Sequence, residues 1–456
     1  MKNINEIRGN IMSTKINHKT SLFILTWPIF IEMLLQMLVS NVDQLMMSRV
    51  SENSVAAIGN VNQIMNVLLI TFSVVTMATT ILVSQYLGSK NQRRVSQVYS
   101  VAVFSNLVFS LVIGLLLFLF NDAIFTLIKL PTELLKDAKI YISIIGGGIF
   151  LQGIFMTYAA IFRSNGFMKQ GMYISAMVNI LNIIGNLILI NGYFGLPKLG
   201  IAGVAISSVI SRVIGVIVII YIFKKKIDGE VSLKYLFPFP KDIFKRLMRI
   251  GIPAGGEAIS YDASQMVILT VINTMGVTAI TTRSYVSILA WCSYLYASAV
   301  SQANQIRVGY LMGANEESEA HKKILETLKQ ANIVTLSVSI LVFIFSNQIL
   351  GVFTSNPEIL RIGKGLLFID IILEFGRTFN MVIIRGIQAA GDIKYPIFIG
   401  IVSMWTIATL FSYVFGVVFG WGIYGVWIAM TADECIRAII FYIRLKSGKW
   451  KSKKII

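Results

Sequence analysis

The chain has 456 residues, of which 55% are hydrophobic and 14% charged, with a mean hydropathy of +0.74. A soluble protein carries roughly 25% charged residues, so this composition excludes a soluble globular enzyme and points to a polytopic membrane protein. The formal net charge of +18 would raise nucleic acid as a partner for a soluble chain; here the basic residues sit in short loops and at the two ends, where orientation against a bilayer accounts for them and no nucleic acid is called for.

Residues 1–20, MKNINEIRGNIMSTKINHKT, form a polar tail that does not make a cleavable signal peptide. A membrane span needs about 20 mostly apolar residues. Twelve segments qualify: 21–48, 55–84, 95–120, 138–161, 168–190, 199–223, 247–273, 279–306, 324–347, 362–384, 395–417 and 422–443. The fold class is therefore an all-α polytopic membrane protein. Twelve spans put both termini on one side, and the loops and ends on that side hold 28 lysines and arginines against eight on the other. Lysine and arginine concentrate on the cytoplasmic side, so both termini are expected in the cytoplasm, with the chain in the plasma membrane. The division is a cytoplasmic tail 1–20, a first lobe 21–223, a basic linker 224–246, a second lobe 247–443 and a basic cytoplasmic tail 444–456.

The chemistry of enzymes is missing. Cys292 and Cys435 fall in apolar segments and supply neither a disulfide framework nor metal spacing. His18 and His321 lie in hydrophilic stretches, so proton chemistry built on histidine is not expected. The chain has no P-loop, HExxH, GxSxG or CxxC. No cofactor is expected, and any driving force comes from an ion gradient or from another protein.

The chain repeats itself. Pro28 of the first span answers Pro253 of the seventh, an offset of 225; Gly88 in YLGSKNQ answers Gly313 in LMGANEE; Gly166 and Lys169 in RSNGFMKQG answer Gly391 and Lys394 in QAAGDIKYP. In the sixth and twelfth spans, LGIAGVAIS and WGIYGVWIA pair Gly200 and Gly203 with Gly422 and Gly425 at an offset of 222. Six spans per half is even, so the halves enter the membrane the same way. Such parallel repeats place substrate at their interface near mid-membrane.

Polar residues inside spans are costly and mark pathways or interior networks. Glu32, Gln36 and Asp43 of the first span fall within about 40° of one another on a helical wheel. Asn179, Asn182 and Asn186 share one face of the fifth span. Amide oxygens are hard ligands that suit Na⁺, and amides also hydrogen-bond a protonated carboxyl, so these asparagines and Asp43 could form one cation or proton site. Amide bridging between helices is the plainer alternative. In the seventh span Glu257, Tyr261, Ser264 and Gln265 lie on one side and Asp262 points away. In the tenth, Asp370, Glu374 and Arg377 share a face with Asn380 beside it, and Glu374 and Arg377 are spaced to pair. Glu434 and Arg437 repeat that spacing in the twelfth span. Arg212 of the sixth span has no obvious local partner.

From about residue 20 to 445 the chain resembles the multidrug and toxic compound extrusion (MATE) family. The carriers are Pro28 and Asp43 fifteen residues apart, VSQYLGSKN, RSNGFMK, NILNIIGN, LGIAGVAISS, IGIPAGGE, IRVGYLMGA and IQAAGDIKYP. The resemblance implies twelve helices in two six-helix lobes around a V-shaped cavity, and export of organic, often cationic and aromatic, compounds in exchange for Na⁺ or H⁺. It also implies a first-lobe cation site at Asp43, the Na⁺ ligand, with Asn182, Asn186 and Ser208; Asn179 joins them from its helical face. The second lobe departs from one branch of the family, with Tyr261 and Asn380 where that branch has acids. Glu32, Gln36, Glu257, Tyr261, Gln265, Glu374, Arg377 and Asn380 are the candidate substrate-cavity residues, with a structural hydrogen-bond network as the alternative for Glu32 and a structural ion pair as the alternative for Glu374 and Arg377. The expected partners are a small organic molecule and the lipid bilayer, with the protein acting as a monomer. A flippase for lipid-linked precursors or oligosaccharides is the runner-up; its cavity would be cationic, whereas the stripes here hold more acids than bases. A receptor or scaffold would not need two homologous halves.

Overall fold

The computed structural model describes residues 21–48 and 50–456, without the side chains at 39–41. Among these residues all regular structure is helical. The helices are α1 (Leu22–Ser48), α2 (Glu52–Gly88), α3 (Gln92–Leu127), α4 (Thr132–Gly147), α5 (Ile149–Ser164), α6 (Met168–Asn191), α7 (Gly200–Lys226), α8 (Lys241–Asn273), α9 (Val277–Gly313), α10 (Glu317–Ile344), the short α11 (Ser346–Gly351), α12 (Pro357–Ala390), α13 (Lys394–Val418) and α14 (Gly422–Lys446). Local sequence explains several starts. Ser51 caps α2 through the Ser54 amide, Asn91 caps α3 through Arg94, and Asn356 caps α12, whose first residue is a proline.

Seven of these helices are long and apolar enough to cross a bilayer, and the bent pair α4–α5 makes an eighth. The other four long helices, α8, α9, α12 and α14, carry charge in their interiors, including Glu257, Arg283, Glu374 and Asp433. Together they supply the twelve spans. The fourth, read from the sequence as continuous over 138–161, is two helices bent by 47° at Gly148. Three successive glycines, Gly146 to Gly148, weaken the helix there. A Cβ on Gly148 would lie 2.8 Å from Val209 of α7. The eleventh span, α13, holds two π-helical stretches, Met404–Thr409 and Val414–Val418. The Thr409 hydroxyl donates to the Met404 carbonyl at 2.9 Å inside the first of them.

The described chain forms two compact units, Trp27–Ile252 and Pro253–Ile456, the second also including Ser21–Thr26. The chain passes from one unit to the other beside the two repeat prolines, Pro28 in α1 and Pro253 in α8. Each unit has its own apolar core. Phe72, Phe125, Ile149 and Val204 belong to the first; Ile268, Leu366, Leu373 and Trp427 belong to the second. Large side chains such as Leu115, Phe118, Ile217 and Phe398 stand exposed, as a lipid-facing surface requires.

The sequence repeat is built into the backbone. α2 and α9 end on Gly88 and Gly313. The turns that follow put Lys90 and Asn315, again 225 apart, at φ values of 57° and 63°. Gly166 and Gly391, after α5 and α12, have φ values of 82° and 112°; this left-handed region favours glycine. Gly203 and Gly425 serve one purpose in the two halves. A Cβ on Gly203 would sit 3.0 Å from the Leu189 backbone, and one on Gly425 2.5 Å from the Phe415 carbonyl carbon. The missing side chain lets α7 close on α6 and α14 close on α13. Beyond α14 the basic tail folds back, with Trp450 fully buried and its indole donating to the Leu445 carbonyl at 3.0 Å.

Overpacking a close helix crossing costs about 1–3 kcal/mol. Gly425→Ala should lower the thermal denaturation midpoint of the purified protein, and lower it more than Gly203→Ala, because its clash is with backbone at shorter range. Unchanged midpoints in both would refute this account of the repeat glycines.

Candidate ion and substrate sites

In the first unit α1 brings Asp43 to the asparagine face of α6. Asp43 is 9% exposed, and its Oδ1 accepts from Asn186 Nδ2 at 2.5 Å. One turn back, Asn182 Nδ2 donates to Ser208 Oγ of α7 at 3.0 Å, and Ser207 Oγ donates to the Asn182 main-chain carbonyl at 2.8 Å. Gly185 makes this possible: a Cβ there would lie 2.3 Å from Ser207 Oγ. Two buried acceptors are left without partners, the side-chain oxygens of Asn182 and Asn186. The Asn179 amide nitrogen is also unpartnered, and that residue is only half-buried. A buried carboxylate beside unused carbonyl oxygens is a donor set for a hard cation or a proton.

Near this site Tyr141 was not singled out by sequence, and Arg212 was noted there only for lacking a local partner. Tyr141 of α4 donates its phenolic hydrogen towards Asn62 Oδ1 at 3.5 Å, and its phenol shares an electrostatic neighbourhood with Asp43. Arg212 of α7, which has no local partner in sequence, places its charge where it acts on both Asp43 and Tyr141. The signal for Arg212 was its spacing: it follows Ser208 by one helical turn.

The other members of the first-span stripe go elsewhere. Glu32 is 3% exposed and is held by Arg163 of α5, whose Nη1 lies 3.1 and 3.3 Å from the two carboxylate oxygens. Gln36 is exposed. Shared helical phase did not give them a shared environment, because different helices cover different heights of the same face.

The second unit solves the same problem with a web of charges. Glu374, fully buried, pairs with Arg377 on the same helix. Arg377 also faces Glu434 of α14 at 3.8 Å. Arg437 reaches Glu434 at 2.9 Å and Asp433 at 2.6 Å, and Ser403 of α13 donates to Asp433. Asn380 Nδ2 donates to the side chain and main-chain carbonyl of Glu434 at 2.6 and 2.8 Å. Asp370 is buried within reach of the Arg377 charge. Glu257 of α8 is half-buried and senses Arg385 and Arg437. Tyr261 is exposed, in the field of Arg377 and Glu434, and Gln265 is half-buried. Ser264 meets the π-helical part of α13 at Thr409, at 2.7 Å.

Buried charge of both signs, unpaired polar atoms and a duplicated set of membrane helices define a membrane transporter and not an enzyme. The MatE family model matches residues 28–188 and 253–414, one copy in each half. The chain belongs to the multidrug and toxic compound extrusion family. It is 40% identical over 433 residues, 95% of each chain, to the uncharacterized transporter YisQ of Bacillus subtilis, and 24% identical over 436 residues, 95% of this chain and 93% of the other, to the probable multidrug resistance protein NorM of Thermotoga maritima. The fold matches a MATE crystallised in the bent conformation, with a TM-score of 0.88, 19% identity and 99% of both chains covered. It also matches a MOP superfamily transporter of Pyrococcus furiosus described as having a binding pocket of reversed polarity, with a TM-score of 0.85, 19% identity, and 93% of this chain and 94% of that one covered.

Removing one partner of a buried ion pair costs about 3–5 kcal/mol because the other charge is left unmatched. Arg163→Gln should therefore destabilise the purified protein more than the double change Glu32→Gln with Arg163→Gln. A double variant at least as unstable as the single one would contradict the pairing.

Proposed function

We propose that this protein is a secondary active antiporter that exports small organic, often cationic and aromatic, compounds in exchange for Na⁺ or H⁺. The observation that carries the proposal is the first-unit site: one buried carboxylate, Asp43, clasped by Asn186, with the amide oxygens of Asn182 and Asn186 unused. Carboxylate and carbonyl oxygens would take Na⁺; the carboxylate alone would take a proton. The multidrug resistance named for the relatives supports the substrate class, and the excess of carboxylates over guanidiniums among the buried second-unit groups supports a cation.

The physics of coupling needs a ligand with different affinity for two conformations. Neutralising Asp43 changes what α1 gains by lying against Asn186 and Asn182. That shifts the packing α1 prefers beyond Pro28, where a proline removes one main-chain hydrogen bond and eases bending. Organic substrate leaves outward as the ion enters, and the emptied transporter returns. The distribution of lysine and arginine supports a plasma-membrane location with both termini in the cytoplasm, and the protein acts as a monomer.

The test is reconstitution of wild type and Asp43→Asn in liposomes loaded with ethidium, with a Na⁺ gradient and a pH gradient imposed separately. Wild type should move ethidium under one of the two gradients, which names the coupling ion, and the variant should fall to the protein-free background. Export by the variant at the wild-type rate would remove Asp43 from the mechanism.

A further inference from the structure

The end of the chain is docked onto the second unit. Trp450 is fully buried and stacks on His321 of α10, with ring centroids 6.2 Å apart and planes 14° apart. Lys454 Nζ donates to Asn315 Oδ1, in the turn after α9, at 2.7 Å. In the turn after α12, a Cβ on Gly391 would collide with the Lys453 carbonyl oxygen, so the tail backbone runs against that glycine. The first half docks the segment after α7 in the same way. The main-chain amides of Glu230 and Ser232 donate to Ser96 and Ser100 of α3 at 3.3 and 3.0 Å. Ser96 and His321 are repeat partners, 225 apart. The docking is duplicated, but the charge is not. Residues 444–456 hold six basic side chains and no acid, whereas the corresponding stretch 222–234 holds Asp228 and Glu230, and Glu230 pairs with Lys234. In the tail Arg444 pairs with Asp392 at 2.9 Å. Among the described residues the lysines paired with carboxylates are Lys139, Lys234 and Lys323, none of them in the tail.

α14 delivers this tail at the end of an apolar outer stripe. Ile436, Ile439 and Ile443 are exposed, and Lys446, also exposed, follows at the spacing of one helical face. The Lys446 ammonium lies 4.9 Å from the centroid of the Tyr442 ring. An apolar stem and ring with a charged head above them fit the boundary between acyl chains and head groups. Lys449 and Lys453 are exposed beyond it. We propose that the docked tail is a binding surface for the head groups of anionic lipids, with Lys446, Lys449 and Lys453 as its contacts. Each lysine beside an anionic bilayer surface strengthens attraction on the order of fivefold. Because Trp450 already pins the tail, binding does not have to order a loose segment, which would offset much of that attraction.

The experiment places full-length protein in phosphatidylcholine bilayers with a trace of spin-labelled phosphatidylglycerol or spin-labelled phosphatidylcholine. The preference of the protein for the first over the second is read from the motionally restricted fraction of each spectrum. Wild type should prefer phosphatidylglycerol. Changing Lys446, Lys449 and Lys453 together to Gln should lower that preference about threefold or more, and changing the same three to Arg, which keeps the charge, should leave it near the wild-type value. No preference in wild type, or the same preference in the Gln variant as in wild type, would overturn the proposal. So would an equal loss in the Gln and Arg variants, because recognition would then not follow charge. Should the Gln variant not remain monodisperse, hydrogen exchange on wild type decides. The amides of residues 446–456 should exchange more slowly in bilayers containing phosphatidylglycerol than in phosphatidylcholine alone, and those of 226–236 should not change. Equal exchange of 446–456 in the two bilayers would refute the lipid surface.

Discussion

A carboxylate that leaves water must be met by charge or by hydrogen-bond donors, or its burial costs several kcal/mol. The arrangement of both units follows from how that demand is satisfied. In the first unit Asp43 is met by one amide, and Glu32 by one arginine. In the second, Glu374, Glu434 and Asp433 are met by Arg377 and Arg437 in a connected web across α12 and α14. A carboxylate held by an amide can exchange that partner for an ion at little cost. A carboxylate inside a web of ion pairs cannot be released without unbalancing its neighbours. The proposed ion exchange therefore falls to the first unit, and the second surrounds its helices with paired charge.

Gene duplication copied the scaffold and not the chemistry. The prolines, the helix-ending glycines and the close crossings at Gly203 and Gly425 recur in both halves. Glu32 and Glu257 are repeat partners, four residues past their prolines. Arg163, which holds Glu32, corresponds to Gln388, and Glu257 senses Arg385 instead, one helical turn earlier. At the position equivalent to Asp43 the second half has Ile268, fully buried in the apolar core. The second unit therefore has no copy of the first-unit site at that position.

Much of this was legible in the sequence because a membrane narrows the choices. The length of the apolar runs, the duplication and the helical phase of Asp43, Asn182 and Asn186 needed no coordinates. What escaped was of another kind. Phase tells which face a side chain lies on and says nothing of the neighbour at that height, so Glu32, Gln36 and Asp43 read as one stripe while Arg163, 131 residues from Glu32 in the chain, claims the first alone. The bend at Gly148 lay in a glycine run whose flanks are equally apolar. The π-helical stretches of α13 leave hydropathy unchanged; they show in bonds such as that from Thr409 to Met404.

The central claim is that one site, Asp43, makes ion and substrate exclude each other. Linkage requires that an ion which weakens substrate binding be weakened by substrate to the same degree. The most direct measurement is ethidium affinity, read by fluorescence anisotropy on purified protein across a range of Na⁺ concentrations and of pH. The account predicts that ethidium affinity falls as the coupling ion rises, and that Asp43→Asn removes this dependence. The same dependence in the variant as in wild type would contradict it.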